Sequence, residues 1–125
     1  MKVLLVNGSP HAKGCTYTAL REVAAALEKE GIETEIFQVG TKPISGCLAC
    51  GACLKTGHCV ISDTVNEFLD KAEQADGFVF GSPVHFASAS GMLTSFMDLF
   101  GRQCFCLQAG GGSAFGKTRR NYGIL

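Results

Sequence analysis

Lys2-Val3-Leu4-Leu5-Val6 runs straight into Asn7-Gly8-Ser9-Pro10, and this junction decides the fold. Val3 to Val6 do not alternate with polar residues, which is the pattern of a strand buried on both faces. Asn-Gly followed by Ser-Pro is a strong turn signal. From about Thr16 to Glu30, Leu20, Val23, Ala24 and Leu27 recur at the spacing of one helical face, and Gly31 is a natural stop. Thr34 to Val39 reads as a second strand, with Ile36, Phe37 and Val39 as its apolar members.

A cysteine-rich loop then runs from Ile44 to Val60. Thr64-Val65-Asn66-Glu67 has the form of a capping box, followed by a helical face of Val65, Phe68, Leu69 and Ala72. Gly77-Phe78-Val79-Phe80 is another short buried strand, closed by Gly81-Ser82-Pro83. Ser90 is placed to cap a third helix, with Leu93, Phe96, Met97 and Phe100 on its inner face. Strands alternating with helices imply right-handed crossovers, hence an α/β fold with a parallel sheet and helices on both faces. Neither an internal repeat nor a linker interrupts the first hundred residues.

The 125-residue length suits a single domain, residues 1–125. Apolar residues make up 46% and charged residues 18%, a globular composition and not a disordered one. Eleven basic residues balance eleven acidic ones, which leaves no electrostatic footprint for nucleic acid. No apolar run approaches the ~20 residues of a membrane span, and Met1 leads into a strand, not a signal peptide. The expectation is a soluble cytoplasmic protein with neither nucleic acid nor membrane as a partner. Of its seven cysteines, Cys47, Cys50, Cys53 and Cys59 crowd into one loop. In a reducing compartment such a cluster reads first as a metal or redox site.

In open parallel sheets, ligands bind beyond the carboxyl ends of the strands where the strand order reverses. For the order 2-1-3-4-5 the loops at that point are Gly8 to Thr16 and Gly81 to Phe86. The first runs into a helix N-terminus, whose unpaired N–H groups and dipole favour an anion. Ser9 and Thr16 add hydroxyls, and Lys13 and His11 add cationic character. Neither GxxxxGK[ST] nor GxGxxG is present, and no acid follows the second strand to hold a ribose, so a single terminal phosphate is the expected ligand. The alternative is an ordinary turn that caps a helix. In the second loop, Ser82, Pro83, His85 and Phe86 can flank a planar heteroaromatic group.

The cysteine spacing C-x2-C-x2-C-x5-C leaves several readings open. Two-residue gaps let thiolates converge on one centre, as in cubane clusters, and Cys59 is near enough to be the fourth ligand. A structural zinc site would set two C-x2-C knuckles well apart, and a disulfide would be labile in the cytosol. A cysteine-rich loop without a cluster is the remaining alternative. Gly46, Gly51 and Gly57 would let the backbone curl around a compact centre.

Taken together, NGSP…GCT after the first strand and GSPVHFASASGMLTSFMD after the third resemble the NADPH-dependent FMN reductase group of flavodoxin-like proteins. The cysteine loop narrows the likeness to the iron-sulfur flavoproteins within that group. The resemblance implies that Ser9, His11, Gly14, Cys15 and Thr16 hold the FMN phosphate, and that Ser82, Pro83, Val84, His85 and Phe86 line the isoalloxazine ring. Cys15 stands where many relatives have Asn or Ser, and His85 where Tyr or Trp is frequent. It further implies a [4Fe-4S] cluster on Cys47, Cys50, Cys53 and Cys59, and an NAD(P)H- or ferredoxin-linked oxidoreductase that passes electrons to a small acceptor. A homo-oligomer, dimer or tetramer, would place one subunit's cluster near another's flavin. The competing readings are a non-enzymatic electron carrier between protein donors and acceptors, and an inactive fragment.

The likeness covers residues 1 to about 100. From Gly101 onward the chain carries four basic residues, no acids and six of its sixteen glycines. A flavodoxin-like sheet has five strands, of which three are readable. Phe105 to Leu107 is the only later stretch that looks like a strand, and Cys104 and Cys106 lie outside the cysteine motif. A truncated or frame-altered gene product would account for this tail. Without a fourth strand, the third would be left as an open edge.

Overall fold

The computed structural model describes residues 1–61, 63–105 and 122–124. Its elements are β1 (Lys2–Asn7), α1 (Cys15–Lys29), β2 (Glu33–Gln38), α2 (Ala52–Thr56), α3 (Asp63–Ala72), β3 (Gly77–Gly81), β4 (Val84–His85), β5 (Ser88–Ala89), α4 (Gly91–Phe105) and β6 (Tyr122–Ile124). The main sheet has the order β2-β1-β3-β6. All three of its pairings are parallel, with Leu5 opposite Ile36 on one side and Val79 on the other. This is the flavodoxin-like α/β sheet, and its order does reverse between β1 and β3.

The unbroken apolar run of β1 serves both layers. Leu4 and Val6 point into a core shared with α3 and α4, whereas Val3 and Leu5 meet Leu20 and Ala24 of α1. Phe68 sits at the centre of the larger core, with its ring centroid 5.2 Å from Phe37, 5.1 Å from Phe96 and 4.9 Å from Phe100. These three contacts are edge-on, the arrangement the ring quadrupoles prefer. Truncating such a ring to Ala costs about 3–5 kcal/mol in a typical core.

Three expectations change. The cysteine loop contains a short helix, α2, between Gly51 and Gly57, both of which have left-handed backbone. The next helix begins at Asp63, so Thr64 lies inside its first turn and is not its cap. The third change concerns the tail. Phe105 ends α4 and does not begin a strand, while Cys106 and Leu107 lie outside the described residues. A strand forms instead at Tyr122–Ile124 and pairs with β3 from Phe78 to Phe80. The edge of β3 is therefore covered, because three residues of any extended chain suffice to engage its ladder groups. Such a short segment carries no periodicity to read.

Across the sheet, the Glu35 carboxylate meets the ammonium groups of Lys2 and Lys71, the former at 2.9 Å. The hydrogen bond from Lys2, then that from Lys71, hold the Glu35 carboxyl below its ordinary value of 4.5. A group whose pKa is depressed by folding stabilises above its unfolded value and ceases to as pH falls through its folded one. Glu35→Gln should therefore flatten the acid limb of the stability curve below about pH 4.5. Because the cluster is partly exposed, the cost at neutral pH should stay under about 1 kcal/mol. Urea unfolding at pH 7 and pH 3.5 measures both, and an acid limb as steep as that of the wild type would exclude this role.

Candidate functional site

Two glycines bring the two loops at the switch point together. The Gly8 N–H donates to the Gly81 carbonyl at 2.8 Å, extending the β1–β3 ladder one residue past the end of β1. A Cβ on Gly8 would sit 2.8 Å from Cβ of Leu93, and one on Gly81 would sit 2.9 Å from two carbons of Leu20. Neither position has room for a side chain, so the turns are glycine for reasons of close approach.

The first loop is held from below. Asn7, wholly buried, accepts a hydrogen bond from the Ser9 N–H at 3.1 Å and donates to the Gln38 side-chain oxygen at 2.7 Å. Gln38 in turn donates to the Ser9 carbonyl at 2.7 Å, and the Ser9 hydroxyl accepts from the His11 N–H at 3.1 Å. The loop then enters α1 through Gly14, which offers no side-chain cap, and the first turn of the helix holds no acid. The leading N–H groups, those of Cys15, Thr16 and Tyr17, therefore have no intrahelical partner. This is the arrangement an anion complements. His11, Lys13 and Cys15 are exposed around it and Thr16 is half-buried.

The second loop is a tight hairpin, β4 paired with β5. Phe86 and Ala87 at its tip have φ of 49° and 56°. Both lie in the left-handed region, where a residue with a Cβ costs roughly 1–2 kcal/mol. Hydrogen bonds at the base hold the hairpin in this shape. The Ser90 N–H donates to the Ser82 hydroxyl at 2.8 Å, which donates to the Pro83 carbonyl at 2.8 Å. The Ser90 hydroxyl donates to the Gly8 carbonyl at 3.2 Å and accepts from Leu93 N–H, so it caps α4 as expected. Val84, His85 and Phe86 stand out into solvent, with the Phe86 ring fully exposed. Pro83 is half-buried, and the Ser82 hydroxyl is engaged within the protein.

Cys47, Cys50, Cys53 and Cys59 all line a single cleft, together with Gly51, Val60, Ile61 and Leu99. Among the described residues, no three His, Cys, Asp or Glu side chains are grouped to hold a single metal ion. Leu99 lies eight residues after Gly91, so the cleft is about 12 Å along α4 from the hairpin base. Within one chain, the two switch-point loops converge and the cysteines line a separate cleft. Asn7 and Gln38 escape a reading based on motifs, because their task is to support the backbone. A buried Asn ending an apolar strand is the one signal that could have found them.

The family model for NADPH-dependent FMN reductase matches residues 1–119. The chain belongs to that family. The match runs past residue 100, so part of the tail shares in a likeness expected to stop there. An iron-sulfur flavoprotein of Methanocaldococcus jannaschii is 42% identical over 98 residues, covering 78% of this chain and 51% of that protein. An iron-sulfur flavoprotein of Methanosarcina thermophila is 32% identical over 118 residues, covering 91% of this chain and 61% of its own length. Among solved structures, a flavone reductase superposes with a TM-score of 0.68 at 22% identity, covering 99% of this chain and 42% of that one, which shows the shared fold. The chain spans about half the length of the first of these relatives. Among the described residues, no helix is long and apolar enough to cross a membrane.

Asn7→Ala removes the acceptor of the buried Ser9 N–H and the donor to the Gln38 side-chain oxygen, while Gln38 keeps its bond to the Ser9 carbonyl. It should lower the unfolding free energy by about 1–3 kcal/mol. Denaturant unfolding measures this, and a loss within error of zero would mean that the loop supports itself.

Proposed function

We propose that this FMN reductase family member is an FMN-dependent oxidoreductase of the iron-sulfur flavoprotein type, taking electrons from NAD(P)H or a protein donor and delivering them to a small acceptor. The observation that carries this reading is the uncapped start of α1 held beside the strained β4–β5 hairpin at the sheet's switch point. The N–H groups of Cys15, Thr16 and Tyr17 would take the FMN phosphate, with Ser9, His11 and Gly14 shaping the loop around it. Pro83, Val84, His85 and Phe86 would flank the ring, whereas Ser82 acts by fixing the hairpin.

The cysteine cleft fits a [4Fe-4S] cluster in the chemistry of its donors. Four cysteines line one space bounded by Val60, Ile61 and Leu99. The sulfurs of Cys47 and Cys59 already accept backbone N–H groups, from Ala49 at 3.3 Å and Ile61 at 3.4 Å. Such bonds stabilise thiolate charge and help set cluster potentials. A cubane spreads its four thiolates over four irons, a wider arrangement than a single ion requires. When bound, FMN exchanges electrons as a pair or singly and the cluster one at a time, so the cofactors carry the redox chemistry and the protein orients them. With the cleft and the hairpin apart in one chain, a homo-oligomer that sets one protomer's cysteines near its partner's flavin loops suits this relay.

The test is the visible spectrum of the chain purified without oxygen, together with its FMN affinity. Flavin bands with a broad sulfur-to-iron shoulder are expected. Cys15→Asp should stabilise the helix by about 0.3–1 kcal/mol through its dipole while weakening FMN at least tenfold by repelling the phosphate. A chain that stays colourless after addition of FMN, iron and sulfide overturns the reading. Unchanged FMN affinity in Cys15→Asp removes the phosphate from this helix.

A further inference from the structure

The cysteine loop is hung from two helices by its first and last cysteines. The Cys47 N–H donates to the Asp98 carboxylate of α4 at 2.7 Å, across 51 residues of sequence. At the other end the Cys59 N–H donates to the Asn66 side-chain oxygen at 2.7 Å, and the Asn66 amide donates back to the Cys59 carbonyl at 2.8 Å. Asn66 thus grips the Cys59 backbone at two points from α3. The sulfurs of both cysteines accept a backbone N–H two residues on. Room is tight at the first anchor, since a Cβ on Gly46 would stand 3.1 Å from the Asp98 Oδ2. Between the anchors, regular structure is limited to the five residues of α2.

We propose that Asp98 and Asn66 are positioning residues for iron-sulfur binding: they fix the two ends of the loop, so that the outer thiolates are placed before a cluster arrives. The inference rests on the reading of Cys47, Cys50, Cys53 and Cys59 as cluster ligands. Its physical basis is preorganisation, because ordering that a loop has already undergone is not subtracted from the affinity for its ligand. Asp98 has a second effect that Asn66 lacks. Its negative charge beside Cys47 opposes the arrival of an electron on a group held there.

Iron and sulfide per chain, and the midpoint potential in a dithionite titration, separate these effects. Asp98→Leu and Asn66→Leu remove the anchors and should hold at most about half the wild-type iron after the same anaerobic reconstitution. In the iron-free chains, the thiols should react with a disulfide reagent at least threefold faster than in the wild type. Asp98→Asn keeps an oxygen acceptor for the Cys47 N–H and removes the charge. It should retain wild-type iron with a potential raised above that of the wild type, a shift that a purely structural role would not produce. Wild-type iron, potential and thiol rates in both Leu variants overturn the inference alone. A wild-type chain that takes up no iron overturns the cluster reading and the inference with it.

Discussion

The site depends on the contact between Gly8 and Gly81. Where two parallel strands end side by side, their chains ordinarily diverge into separate loops. Here one more hydrogen bond, 2.8 Å long, carries the ladder past the end of β1, and the absence of side chains lets Leu93 and Leu20 close in from either layer. That contact fixes the distance between the start of α1 and the hairpin before α4. The Asn7–Gln38–Ser9 network and the Ser82–Ser90 junction then stiffen one loop each. The candidate binding groups are thus mostly backbone atoms and protruding rings, and the polar side chains beneath them serve as framework.

Much of this was legible in the sequence because it rests on local pattern. Val3 to Val6 announced a strand buried on both faces, and the spacings through Leu27 and Phe100 announced the helices that cover it. The two turn-rich loops could be paired because the order of strands and helices dictates where the sheet reverses. Ser90 was readable as a cap because capping is a short-range device. Asp98 was not readable at all, since its partner, Cys47, lies 51 residues away and no spacing records such a contact. Ser82 marks a limit of such reading, because a hydroxyl in a turn can face a ligand or the protein equally well, and here it bonds the Pro83 carbonyl and the Ser90 N–H.

The tail shows the same limit from the other side. Basic, glycine-rich sequence without periodicity gave no sign of a strand near the end of the chain, yet Tyr122–Ile124 pairs with β3. Pairing at a sheet edge needs only an extended chain with free N–H and C=O groups, and composition does not encode it. The cysteine loop is the intermediate case. Its spacing told which residues belong together, and the structure adds the single cleft and the two helices from which the loop is suspended.

The central claim is that the first turn of α1 receives a phosphate while the neighbouring hairpin receives a ring. Backbone amide chemical shifts of the labelled chain, followed during titration with FMN and separately with riboflavin, test it most directly. FMN should move the amides of Cys15, Thr16 and Tyr17 together with those of the β4–β5 hairpin. Riboflavin, which lacks the phosphate, should move the hairpin alone and bind more weakly. FMN binding that leaves Cys15 to Tyr17 unmoved would contradict the account.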